Sequence, residues 1–127
     1  MTTQLTLGIA ARDKVCTETV SSLWASMQSL PYPIQLMIQK GGYIQDNRQK
    51  ITEEAIRAGS SHLVFVDTDM WFPGPAIRTL LDHDKDIIGV NYYERKFPLE
   101  STVKFADDAG DIVFWELKDL PTSLFKC

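Results

Sequence analysis

The chain has 127 residues, enough for one domain that loses roughly two thirds of its unfolded surface on folding, and a single domain is expected over 1–127. Hydrophobic residues at 44% and charged residues at 24% are ordinary globular values and exclude disordered or collagen-like sequence. The formal net charge is −4, and the 13 Lys and Arg are scattered among 17 Asp and Glu, so the chain lacks the basic stripe of a nucleic-acid binder.

No apolar run approaches the ~20 residues of a membrane span. Met1-Thr2-Thr3-Gln4-Leu5 has no basic segment leading into an apolar one. A soluble, cytoplasmic protein is therefore expected. Cys16 and Cys127 are too few for a disulfide framework and have no metal-type spacing, so both are expected as reduced thiols.

In chain order, Leu5 to Ala11 alternates well enough for a first strand, and Asp13 is placed to cap the helix after it. From Val15 to Leu30, the residues Cys16, Val20, Leu23, Met27 and Leu30 recur at helical spacing, and Pro31-Tyr32-Pro33 stops that helix. Ile34 to Gln39 is a second strand closed by Lys40-Gly41-Gly42. Asp46 to Ala58 is a second helix with Asn47, Ile51, Ala55 and Ala58 on one inward stripe and Gly59 just past its end.

Leu63 to Val66 is too short to span a membrane and too continuously apolar for a half-exposed strand, so a central strand covered on both faces is expected. It runs into Asp67-Thr68-Asp69. If the chain stays extended, both carboxylates point to the same side. Two like charges placed together favour a hard cation, Mn²⁺ or Mg²⁺, held between them and an anion such as a diphosphate.

Pro73-Gly74-Pro75 then opens a short helix with Ile77, Leu80 and Leu81 facing inward. Ile87 to Asn91 is expected as a fourth buried strand, and Thr102 to Phe105 with Ile112 to Leu117 as a β-hairpin about Asp107-Asp108-Ala109-Gly110.

Alternating strands and helices specify an α/β fold: a single open, mostly parallel sheet with helices on both faces, plus the C-terminal hairpin. Ligands of such sheets bind at the carboxyl ends of the strands, where the helix amino termini also favour anions. That rim collects Arg12 and Asp13, Gln39 and Lys40, Asn47 and Arg48, and Asp67 and Asp69. Arg48 is either solvated or a bidentate phosphate ligand. Asn47, facing inward, is either a ligand contact or a hydrogen-bond partner of a strand-end carbonyl.

Tyr92, Tyr93, Arg95 and Lys96 follow the fourth strand and either contact a sugar as a lid or pack the hairpin. His62 is expected to be structural or exposed, and His83 to lie at the wrong edge for the site. Trp24, Trp71 and Trp115 share no stripe, so core or interface is their default.

Leu63 to Met70 around Asp67-Thr68-Asp69, a preceding helix opening Asn47-Arg48, and the following Pro73 and Asp86 to Tyr93 together resemble the nucleotide-sugar-dependent glycosyltransferases of the GT-A fold. The likeness runs from Leu5 to about Thr122 and corresponds to the donor-binding, Rossmann-like half of such enzymes. It implies a site for a nucleoside diphosphate sugar, with a UDP-sugar favoured, and Mn²⁺ or Mg²⁺ as cofactor.

In that site Asp69 binds the metal directly. Asp67 reaches the ribose and the metal through water, Thr68 lies between them, and Arg48 approaches the phosphates. Ala10-Ala11-Arg12 borders the nucleotide and Gln39 meets the base. The chain departs from the family at Ala10-Ala11, where Pro-Thr is common, and at Gln39, where an acid is common. Similar proteins also continue past a segment like Leu120-Pro121-Thr122 into an acceptor region, so a truncated chain that hides apolar surface by self-association is expected.

Transfer of a sugar to an unknown acceptor is the first functional expectation, with the catalytic residue unassigned. A nucleotide-sugar-binding remnant with little turnover is the second. A haloacid dehalogenase type phosphatase is a remote third, since that family carries its Asp-X-Asp on the first strand and with a different continuation.

Overall fold

The computed structural model describes residues 3–90, 100–106, 109 and 112–116. The chain divides into two compact units, Met1–Lys85 and Asp86–Cys127. In the first, β1 (Leu5–Ala11), α1 (Thr17–Ser29), β2 (Ile34–Lys40), α2 (Ile44–Arg57), β3 (His62–Phe65) and α3 (Ala76–Asp82) follow one another. The three strands form an open parallel sheet in the order β2-β1-β3.

Every residue of β1 is buried, because it has a strand on each side and helices on each face. Leu5, Leu7 and Ile9 pack with Leu23 and Leu30 at α1 and Ile77 of α3. The opposite face carries Thr6, Gly8 and Ala10 and receives α2. A methyl group built on Gly8 would lie 2.5 Å from Ile51 Cγ2, so the missing side chain lets that helix approach.

Three expectations change here. Among the described residues the strand that precedes Asp67, β3, is at one edge of the sheet and Phe65 is exposed, while β1 is the strand covered on both faces. A short apolar run signals burial but does not rank strands within a sheet. Ile87 to Val90 forms no strand, and Ile87 is 92% exposed; a β-branched run becomes a strand only where a neighbour offers free main-chain groups. Asn91 lies outside the described residues.

The third change is the inward stripe of α1. Cys16 and Val20 are exposed, and the buried residues are Thr19, Ser22, Leu23 and Ser26. The hydroxyls are buried because each has a main-chain partner in the segment after β3. Cys16 also occupies the N-cap position expected of Asp13. In α2, Asn47, Ile51 and Ala55 are buried as expected, whereas Ala58 is the exposed C-cap, and Gly59 leaves the helix at φ +72°.

In the second unit, β4 (Glu100–Ala106) and β5 (Ile112–Glu116) pair antiparallel, with an irregular register between Glu100 and Lys104. Most of the expected turn between them lies outside the described residues. No helix among the described residues is long and apolar enough to cross a membrane.

Candidate functional site

The carboxyl ends of the three strands and the amino ends of α1 and α2 share one edge, and most of the rim residues converge there. Asn47 is only 3% exposed. Its Nδ2 donates to the carbonyls of Ala11 at 3.3 Å and Gly41 at 3.5 Å, while the Gly41 N–H donates to Ala11 at 3.1 Å. Asn47 thus ties the first turn of α2 to the end of β1 and to the loop after β2, the strand-end role anticipated as the alternative to ligand contact. Ala10 and Ala11 are buried beneath this junction, Gln39 is half-buried in register with Ala10, and Arg12 is exposed.

Arg48, the next residue of α2, is turned about 100° from Asn47 and onto the exposed side. Its Nη2 lies 3.2 Å from Asp67 Oδ1, and its guanidinium carbon lies 6.0 Å from the ring centre of Phe65. Asp67 is carried there by the last β1–β3 hydrogen bond, from the Val66 N–H to the Gly8 carbonyl at 2.9 Å. The Arg48 and Asp67 side chains are 49% and 44% exposed, so the pair contributes at most about 1 kcal/mol to stability. Lys40 and Asp13 make a second exposed pair at 3.3 Å on the same rim.

After Val66 the chain does not stay extended. Residues 68 and 69 form a turn, so the same-side argument for Asp67 and Asp69 fails. The cause is α1: the Thr68 carbonyl accepts from the Cys16 N–H at 2.8 Å and from Thr19 Oγ1 at 3.0 Å, which bends the chain toward that helix. Thr68 is half-buried at the bend and Asp69 is exposed beyond it.

Among the described residues no three His, Cys, Asp or Glu side chains converge as a closed metal cage. Two carboxylates, one half-buried and one exposed, are nonetheless a donor set that suits Mg²⁺ or Mn²⁺, which keep several waters and bind through one or two carboxylates plus substrate phosphates. His62 opens β3 at the opposite edge, and His83 is the exposed C-cap of α3. Tyr92, Tyr93, Arg95 and Lys96 lie outside the described residues.

Sequence reasoning missed three contributors. Phe65 flanks the Arg48 guanidinium, a role visible in sequence only as the position on β3 paired with the helix-facing Gly8. Ser22 and Ser26 fasten the chain beyond Asp69; Ser26 Oγ donates to the Gly74 carbonyl at 2.9 Å. Their signal is a hydroxyl repeat through α1, which a search for apolar periodicity passes over. No family model, curated protein or solved structure matches this chain.

Proposed function

We propose that this chain binds a nucleoside diphosphate sugar, with a UDP-sugar favoured, as the donor domain of a metal-dependent glycosyltransferase of the GT-A type that transfers the sugar to an acceptor. The observation that carries the reading is the meeting of Asp67 and Arg48 at 3.2 Å on the carboxyl edge of a parallel sheet, with Asp69 exposed two residues further on. An anionic and a cationic group side by side suit a ligand that is itself a metal-complexed diphosphate.

Asp69 and Asp67 would hold Mn²⁺ or Mg²⁺, which when bound acts as a Lewis acid on the departing diphosphate. Arg48 sits where it can transfer its ionic contact from Asp67 to a phosphate oxygen, with Phe65 steadying the guanidinium. Ala10, Ala11 and Arg12 would border the nucleoside and Gln39 the base, while Asn47 holds the loops in place.

Calorimetry with UDP, GDP and their sugars, with and without Mn²⁺, tests this directly. Metal-dependent binding that Asp69→Ala abolishes is expected. Absence of binding to every nucleotide, or unchanged binding by the variant, would remove the site. Turnover of a labelled donor then separates transfer from binding alone.

A further inference from the structure

Trp24 and Trp71 are 64% and 82% exposed, so neither belongs to the core of this chain. Trp24 has apolar company. Around α1, Thr19, Ser22 and Ser26 bond to the segment that follows β3, Leu23 and Leu30 enter the core, and Val20 and Trp24 come next on the flank beyond them. With the strands ordered β2-β1-β3, that flank lies on the β2 side. Leu36 and Ile38 of β2 pair with Leu7 and Ile9 of β1 and so share the α1 face of the sheet. Leu7 and Ile9 are fully buried there, whereas Leu36 and Ile38 are exposed beside the exposed Val20.

β2 also offers main-chain groups. Among the described residues only β1 pairs with it. The Leu5 N–H donates to the Pro33 carbonyl at 3.0 Å and the Gly41 N–H to the Ala11 carbonyl at 3.1 Å, so the odd-numbered residues of β2 turn their main-chain groups toward β1. By alternation Ile34, Leu36, Ile38 and Lys40 turn theirs outward. Free edges are ordinarily blunted by a bulge, a proline or charges. β2 has an even register, no proline and one charged residue, Lys40, which ends the strand and is paired with Asp13.

The order of side chains along β2 selects the occupant. Ile34-Gln35-Leu36-Met37-Ile38-Gln39-Lys40 is nearly the same read in either direction from Met37. Two antiparallel copies related by a two-fold axis at Met37 set Leu36 against the partner's Ile38, Gln35 against the partner's Gln39, and Met37 against its own copy. Apolar meets apolar and amide meets amide, while the two Lys40 side chains lie at opposite ends, so no like charges face each other. Leu36 and Ile38, whose main-chain groups point outward, fall at the hydrogen-bonded positions of that pairing. We propose that β2 is the interface of a two-fold dimer in which the sheets of two copies join edge to edge, with Val20 and Trp24 of each copy covering Leu36 and Ile38 beside the axis.

Sedimentation velocity of the full chain at rising concentration tests this, and a monomer–dimer equilibrium is expected. Leu36→Lys combined with Ile38→Lys sets lysines directly opposite one another and should leave a monomer whose circular dichroism is unchanged, since both side chains are exposed. Trp24→Ala should weaken the dimer at least about fivefold. The register is read by cross-linking in a Cys16→Ser, Cys127→Ser background. Met37→Cys should form an intermolecular disulfide, because residues facing each other at a non-hydrogen-bonded position have Cα atoms about 4.5 Å apart. Gln35→Cys, displaced roughly 14 Å along the strands from its own copy, should not.

A chain that stays monomeric at every accessible concentration would overturn the proposal and leave the edge to a strand of another protein. A dimer untouched by the paired lysines, or cross-linked through Gln35→Cys as readily as through Met37→Cys, would put the contact on another face and overturn it too. If the lysines unfold the chain, the two cysteine variants decide between these outcomes.

Discussion

The two ends of the same three strands are finished in opposite ways. At the amino end, neutral groups satisfy one another: the Thr6 and Ser60 hydroxyls lie 2.6 Å apart, Ser61 Oγ donates to the Gln4 carbonyl at 3.0 Å, and the Gln4 N–H donates to Ser61 Oγ at 2.9 Å. At the carboxyl end, beside the buried and neutral Asn47, two ion pairs between different parts of the chain, Arg48–Asp67 and Lys40–Asp13, lie about half to two thirds exposed. Neutral hydrogen bonds that close main-chain groups contribute to the fold. Exposed ion pairs contribute little to it and can exchange partners with a charged ligand. The amino end thus maintains the fold, and the other end is where the proposed ligand would bind.

Four substitutions would break or sharpen that contrast. Gly8→Val strikes the frame common to both ends. With Ile51 already 2.5 Å from a built Cβ, it should cost about 3 kcal/mol in urea unfolding and lower nucleotide binding only as far as it unfolds the chain. Asn47→Ala removes a neutral, buried bond at the carboxyl end. A loss of about 2 kcal/mol is expected, so it should behave in denaturation like an amino-end residue despite its address.

Ser61→Ala, at the amino end, should lower stability by about 1 kcal/mol and leave nucleotide affinity unchanged; a large affinity loss there would undo the division of labour. Arg48→Ala should have the smallest effect on stability, less than about 1 kcal/mol. In calorimetry with Mn²⁺ it should nonetheless weaken nucleotide binding at least ~10-fold, the scale of a lost hydrogen bond to a charged group. If Arg48→Ala instead destabilised the chain and spared binding, the carboxyl edge would be a structural seam like the other.

Much of the frame is legible in the chain itself because its signals are local. Leu5–Ala11 announces β1 by its composition, Pro31 and Pro33 end the first helix region, and Gly59 marks the stop of α2, where a positive φ costs glycine least. Arg48 and Asp67 could be placed on one rim because helix starts and strand ends alternate predictably in an α/β chain. Asn47 could be read as inward-facing from its phase with Ile51 and Ala55, although its acceptors, Ala11 and Gly41, could not be singled out.

The expectations that failed depend on neighbours distant in sequence. Apolar spacing put Val20 inside and left Thr19, Ser22 and Ser26 unremarked, because a buried hydroxyl is tolerated only when a particular carbonyl or N–H elsewhere meets it. Extrapolating β3 past Val66 failed for the same reason: α1 pulls the Thr68 carbonyl away from the strand direction. Ile87 to Val90 has the composition of a strand without becoming one.

The sequence by itself determined the α/β alternation, the approximate limits of the first five elements and the set of charged residues on one edge, since these come from periodicity, breakers and chain direction. Only the tertiary structure decided that β1 is the inner strand, that Arg48 and Asp67 meet beside Phe65, that a turn separates Asp67 from Asp69, and that Trp71 faces solvent. Each of those depends on which main-chain and side-chain groups from distant positions satisfy one another, and no local pattern encodes that pairing.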